Sequence, residues 1–511
     1  MYLETVSPAQ NSWKIEACQL KRIESSSARD NKGRNRLLEH GNELNPRTNL
    51  SDGLPMTPDA HKLSLKEKLA YGLGDSGANL VGATQATFLL FFYTDVLDIS
   101  AKAAGTILLV SRLVDAFNDP IMGALADRTD TRWGRYRPWV LWTSLPMAVA
   151  LVLCFTTPDF SEMGKVIWAV TTYNLLMILY AANNIPYCAL SGVMTSDVDE
   201  RTSIASWRFL CAMGATLIVT MFTFDLVDVI GQGDVRAGYQ GTMIVWGVFV
   251  VLCLVTTFLF TRERVRPTAG KQSSFRQDLA DLFRNGPWIA LFMLALLIYV
   301  QLSFRSGTML YYFQYYQQSP RLFSWVTNFG LFNGVGLAVV MIGVFLSKPI
   351  SKRFGKRNTF QVCLIASAVL MACFACLPRD STISLFTLQI LMQLTFGPTI
   401  PLLWSMMADV ADYAEWKTGR RSTALAFASI VFGFKLGSGV GGWMSGELLQ
   451  FAGYSGNGEQ SADALWMISM LVSVLPAIAL FVGAVVLYFY KIDRRLELQI
   501  EQTLRDRRRE L

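Results

Sequence analysis

Residues 109–139 read LVSRLVDAFNDPIMGALADRTDTRWGRYRPW, a helix-length apolar run that carries Arg112, Asp115 and Asp119 and ends in a cluster of arginines. An apolar stretch of roughly 20 residues is what an α-helix needs to cross a bilayer, and basic loops stay on the cytoplasmic side. This stretch therefore predicts a transmembrane helix, its orientation, and charges that a membrane interior should not hold. The rest of the chain agrees. Of its 511 residues 52% are hydrophobic and only 17% charged, where soluble domains carry about a quarter. Working outward, comparable runs lie at about 70–95, 102–126, 138–157, 164–193, 203–224, 241–260, 287–313, 326–349, 359–377, 381–407, 422–452 and 465–490, twelve in all. They lack the alternation of barrel strands, and backbone amides in lipid must be satisfied internally, so the expectation is an all-α membrane protein with twelve transmembrane helices.

Lys and Arg cluster in alternate connections, as in RTDTRWGRYR, RERVR, SKRFGKR and KTGRR, while the opposite connections hold about one basic residue each or none. Both termini then fall in the cytoplasm, and the net charge of +7 reads as this topology and not as nucleic-acid binding. Residues 1–62 are polar, nearly charge-balanced and without periodicity or an apolar signal segment, which predicts disorder. Met56 opens a plausible start for such a protein, so residues 1–55 are expected to be an extension outside the functional core.

Two sequence pairs recur six spans apart. GALADRTDTRWGRYRP follows the second span and GVFLSKPISKRFGKRN the eighth; SDVDERTSIASWRF follows the fourth and ADVADYAEWKTGRRSTALAF the tenth. The expected layout is a parallel-repeat transporter: a six-helix half at 63–260, a cytoplasmic connection at 261–286, a second six-helix half at 287–490 and a basic tail at 491–511. In that layout the site lies between the halves near the midplane.

Asp75, Arg112, Asp115, Asp119, Arg208, Arg305 and Lys435 fall within spans. At about 2.5–3.5 kcal/mol each, left unpaired they would cost on the order of 20 kcal/mol, more than a domain's stability. They must form buried salt bridges or face a watery cavity. Asp115 and Asp119 stand four apart on one helix face with Asn118 beside them, and Asp75 shares a face with Asn79. Two close carboxylates repel unless a cation lies between them or one is protonated. That is a device for Na⁺, with Asp115 and Asp119 as metal ligands, or for H⁺. The only histidines, His40 and His61, precede the first span, so the chemistry falls to carboxylates. Seven of the eight cysteines lie within spans as apolar thiols, and no cofactor is implied.

YGLGDSGANL, YTDV, SRLVDAFNDPIMGALADRTDTRWGRYRPW, NNIPYCAL and MADVADYAEWKTGRR resemble the signatures of the glycoside–pentoside–hexuronide:cation symporters, the melibiose carrier's family within the major facilitator superfamily. The resemblance runs from about residue 66 to the end of the twelfth span, in order and at family-like spacing. It implies the major facilitator fold and sugar uptake coupled to Na⁺ or H⁺ by alternating access, in a bacterial inner membrane. By position Asp115, Asn118 and Asp119 match the family's cation-binding segment, and Arg208 and Lys435 match basic residues of the sugar and coupling site. Arg201, Asp409, Asp412 and Glu415 match cytoplasmic charges that gate the inward side. Asn79 and Asn184 stand where the family has sugar-binding aspartates, Cys188 where it has a tryptophan, and Ala181 where it has a cation-ligating threonine. These departures resemble the branch that carries xylosides and glucuronides. Arg305, deep in the seventh span, joins Asp75, Asn79, Asn184, Arg208 and Lys435 as a substrate-binding candidate, because it could grip a carboxylate.

An uncoupled facilitator, a lysolipid carrier of a related branch and a polytopic membrane transferase are the alternatives. Duplicated halves and a histidine-free membrane region argue against an enzyme. The partners expected are a small glycoside and the lipid bilayer, with the chain acting as a monomer.

Overall fold

The computed structural model describes residues 63–195, 197–264, 282–317, 322–323, 326–418, 423–456 and 458–510. The N-terminal extension and most of the 261–286 connection lie outside the described residues. Among the described residues there is no β-strand, only two isolated bridges.

The helices are α1 Leu65–Phe91, α2 Ala101–Arg128, α3 Arg137–Cys154, α4 Glu162–Met194, α5 Val198–Gly231, α6 Val235–Phe260, α7 Gly286–Tyr311 and α8 Asn328–Phe354. They continue as α9 Lys356–Ala372, α10 Thr382–Phe396, α11 Thr399–Thr418, α12 Thr423–Phe451, α13 Ala462–Val472, α14 Val474–Val486 and α15 Arg494–Glu510. Their starts are written in the sequence as polar caps. The side chains of Ser64, Ser100, Ser161, Asp234, Asn285, Thr327 and Ser461 each accept a backbone N–H from the first turn. Between α8 and α9 the chain reverses at Gly355, whose φ of +83° a side chain would resist.

Ten helical segments are long and apolar enough to cross a membrane, counting α10 with α11 and α13 with α14 as one each. Helices α1 and α2 have the length, 27 and 28 residues, but fall outside that set; α2 carries Arg112, Asp115 and Asp119, and α1 is diluted by polar and small residues such as Asp75, Asn79 and Gln85. Large apolar side chains such as Phe345, Val362 and Ile383 project outward from the bundle, as a lipid-facing surface requires.

Helices α1–α6 pack on one another, as do α7–α14, and the two groups meet along α1 with α7, α2 with α12, and α5 with α8. Glycines set how closely α12 approaches its neighbours. Gly439 and Gly442 lie against Arg112 and Leu108, and a Cβ on Gly446 would collide with the Ala101 carbonyl. On its other side Gly437 and Gly441 admit the α7 backbone at Leu296 and Val300. The glycine run at 437–442 is therefore a helix contact of the small-residue kind. Gly446→Val should wedge α2 from α12 at a cost of about 1–3 kcal/mol. Gly214→Ala, inside α5 with nothing within 4 Å, should instead gain about 0.5–1 kcal/mol of helix propensity. Thermal unfolding of the detergent-solubilised protein checks both.

Helix α1 ends in a π-helical turn, Phe92–Val96, and α7 in another, Tyr312–Tyr316. Such turns are uncommon and concentrate at functional sites. The basic tail forms α15, which buries Ile500 and Leu504. Lys356 ties it to α11, its ammonium 2.8 Å from Asp409 and 2.7 Å from Glu497.

Candidate functional site

The charges of the opening stretch find their partner 316 residues away. Lys435, on α12, reaches across to α2, its ammonium 2.9 Å from Asp115 and in contact with Asp119. Arg112 lies 3.8 Å from the same oxygen of Asp115. Two acids and two bases thus form a neutral quartet, which is how charges survive in a low-dielectric interior. Asp115 is 1% exposed, and its second oxygen is buried without a hydrogen-bond partner, as is the amide nitrogen of Asn118. The sequence reading grouped Lys435 with the sugar residues. The structure places its ammonium between the two carboxylates. Among the described residues no three His, Cys, Asp or Glu side chains gather as a metal site.

A second charged pair lies within α1–α6. The Arg208 guanidinium forks onto Asp75, with Nε 3.0 Å from one oxygen and Nη2 3.3 Å from the other. It also lies over the Tyr187 ring, 5.4 Å from its centroid, and that ring stacks on Tyr71 at 4.6 Å. Asn79 donates to the Asp75 carbonyl one turn back in α1. Asn184 accepts from the Cys188 thiol, which also meets Arg208. Asp75, Asn79, Asn184 and Arg208 are thereby associated through one cluster.

Further from the chain-end face, a cavity of about 460 Å³ opens between the two helix groups. That is within the usual range for small-molecule sites. Arg112 and Lys435 edge it, and its remaining polar lining is neutral, including Gln85, Ser306, Asn333, Gln393 and Ser438. Arg305 does not line it. The side chain is 8% exposed, donates to Gln389 at 2.6 Å, and packs over the rings of Phe332 and Phe374. Rotation of α7 turns Arg305 into the second helix group and presents its neighbour Ser306 to the cavity.

Of the gating candidates, Arg201 donates to the carbonyls of Thr195 and Gly192 in its own helix group. Asp409 is held by Lys356, while Asp412 and Glu415 lie half-buried further along α11. The opposite face is bound together across the groups. Asp95, in the π turn after α1, accepts from Tyr315 in the π turn after α7 and from Tyr454 at 2.7 Å. Thr94 bonds Tyr311 at 2.8 Å, and the Thr327 backbone N–H donates to Asp225 at 2.9 Å. On this same side Lys102 of α2 also pairs with Glu447 of α12 at 3.6 Å. The sequence reading used Asp95 only as part of the YTDV signature and passed over Gln85, Asn333 and Gln393. The available signal was that an amide inside an apolar span is costly, as a charge is.

Residues 70–494 match the family model described as MFS/sugar transport protein. The chain belongs to that family. The putative glycoside/cation symporter YagG of Escherichia coli is 36% identical over 449 residues, 87% of this chain and 96% of that protein. The isoprimeverose transporter of Lactiplantibacillus pentosus is 33% identical over 465 residues, 90% of this chain and 94% of that one. A crystal structure of a mutant of the nucleoside transporter NupG superposes with a TM-score of 0.58 at 15% identity, over 82% of this chain and all of that one. The last likeness concerns the fold alone. With its apolar helices, this sugar-transport family member is an integral, multi-pass membrane protein.

Proposed function

We propose that this protein imports a neutral glycoside of the xyloside type in symport with a cation, by alternating access. It is a cation-coupled glycoside symporter of the major facilitator type, working as a monomer in a bacterial inner membrane. Helices α1 and α2 also cross the bilayer, giving twelve spans in two halves at 63–260 and 287–490, with both chain ends cytoplasmic. The Asp95–Tyr315–Tyr454 side is then external and closed.

The observation that carries the substrate class is the state of the arginines. A glucuronide needs a cation free to take its carboxylate. Arg208 is committed to Asp75, and Arg305 lies behind the cavity wall on Gln389. Lys435 and Arg112 are balanced by Asp115 and Asp119. The groups left to meet substrate are amides and hydroxyls, which suit a neutral sugar. Relatives named for a glycoside/cation and for isoprimeverose support the same reading.

The quartet supplies the coupling. With no ion bound, Lys435 stands in for a cation at Asp115 and Asp119. A proton arriving at either acid weakens its hold on Lys435, loosening α12 from α2 and so linking ion occupancy to the seam between the halves. Two acids suffice for a proton; Na⁺, with Asp115, Asn118 and Asp119 as oxygen ligands, is the second reading. Arg201, Asp409, Asp412 and Glu415 serve the inner gate.

Purified protein in liposomes tests this. Labelled isoprimeverose should exchange across the membrane and accumulate under an inward proton gradient without Na⁺. Accumulation only with Na⁺ would replace the ion. Exchange of a glucuronide but not of a xyloside would overturn the substrate class.

A further inference from the structure

We propose that Gln85 on α1, together with Asn333 on α8 and Gln393 on α10, forms an amide clamp across the central cavity that selects the sugar by its hydroxyls. This deepens the symporter reading and rests on it. The clamp is distinct from the Asp75–Arg208 cluster and from the Lys435 quartet, and it joins the two helix groups.

Gln85 carries the argument. Its side chain lines the cavity and is 4% exposed, yet its amide makes no hydrogen bond to any other described residue, and its oxygen is buried without a partner. A buried amide left unpaired costs about 1–3 kcal/mol, so buried polar groups that lack a protein partner call for an explanation. The residue lines the cavity, so turning its amide toward that space lets an occupant satisfy it. The Gln393 side chain likewise bonds to no other described residue, while the Asn333 amide nitrogen donates to the Phe329 carbonyl and its side-chain oxygen accepts from no other described residue.

Local packing positions the far side of the clamp. A Cβ on Gly336 would meet the amide nitrogen of Gln393 at 3.2 Å and collide with that of Gln389. Only the missing side chain at 336 lets the two α10 amides lie against α8, one turn from Asn333. Gln389 is held in place by Arg305, which gives that buried guanidinium a positioning role behind the cavity wall. On another wall Tyr299 and Phe434 stack at 4.4 Å and offer an apolar platform beside the polar groups.

The chemistry fits a carbohydrate without charge. An amide donates and accepts at once, as a sugar's neighbouring hydroxyls do, so one Gln can satisfy two of them. A site built to hydrogen-bond a hydroxyl discriminates strongly against the analogue lacking it, because its own polar groups are then left unpaired. Amides drawn from both halves also make binding depend on the halves being close together.

Exchange in liposomes is measured with a xylosyl disaccharide, its monodeoxy analogues and an aryl glucuronide, on wild type, Gln85→Met and Gln393→Met. Methionine keeps volume and helix propensity, and monodisperse, thermally stable protein is confirmed for each variant. Wild type should lose about tenfold or more in half-saturation for at least one deoxy analogue. Gln85→Met should weaken the parent sugar about tenfold and no longer distinguish that analogue from it. Proton dependence of exchange should not move. Equal weakening of parent and all deoxy analogues, or none at all, would overturn the clamp while leaving the symporter reading intact. Preference of wild type for the glucuronide would overturn the neutral-sugar reading, with the same variants then testing the amides on that sugar. Failure of wild type to exchange any of the sugars would overturn both.

Discussion

Lys435→Met should abolish uphill accumulation of sugar, leaving at most equilibration across the membrane, and should lower the thermal stability of the protein. The substitution removes the ammonium that Asp115 and Asp119 share. Asp115 is almost fully buried, and its remaining base, Arg112, lies 3.8 Å away. Removing one partner of a buried ion pair costs about 3–5 kcal/mol, because the other charge is stranded. Asp119 is about a third exposed, so its share is smaller. The double variant Lys435→Met with Asp119→Asn removes one stranded charge and should recover part of the stability without recovering accumulation. Asp115→Asn alone should lose accumulation while the protein remains in the membrane. Accumulation ratios in liposomes under an inward proton gradient, set beside unfolding temperatures, separate the two effects. Wild-type accumulation by Lys435→Met would remove the lysine from the coupling step.

Arg208→Lys should raise the half-saturation for sugar by about one to two orders of magnitude and leave the ion dependence in place. Lysine keeps the charge but not the planar fork that meets both oxygens of Asp75, so Asp75 loses its orientation. Hydrogen bonds to charged groups are worth about 1.5–3 kcal/mol, which corresponds to that range of affinity. Arg208 also covers the Tyr187 ring and meets the Cys188 thiol, so one side chain sets the geometry of the cluster that carries Asn184, beside the cavity and not in its lining. Arg305→Lys offers the contrast. Its guanidinium touches no carboxylate among the described residues and lies outside the cavity, so its effect should come through Gln389 and the amide clamp. Deoxy-sugar discrimination, and not ion coupling, is the readout to follow there.

The two expected effects differ because the charges hold different things together. Lys435 joins the helix groups, whereas Arg208 orders one side-chain cluster within a single group. A transporter needs both kinds of contact, one that can be exchanged for an ion and one that stays put while the halves move.

Much of this was legible in the sequence because its signals are local. Roughly 20 apolar residues in a row must become a helix in lipid, so the positions of the long helices follow from composition, and Ser, Thr, Asp and Asn at their starts mark where they begin. Asp115 and Asp119 could be placed on one face from their spacing alone, since helical geometry fixes it. Tertiary structure decided everything that depends on how each helix is rotated and on which neighbour it meets. No local pattern tells that Lys435 reaches α2, or that Arg305 turns away from the cavity while Ser306 faces it. Nor does any local pattern bring Gln85, Asn333 and Gln393, from three separated helices, to one space. Those outcomes come from side-chain packing between helices, and above all from the glycines at 336, 439, 442 and 446 that set how near two backbones can come.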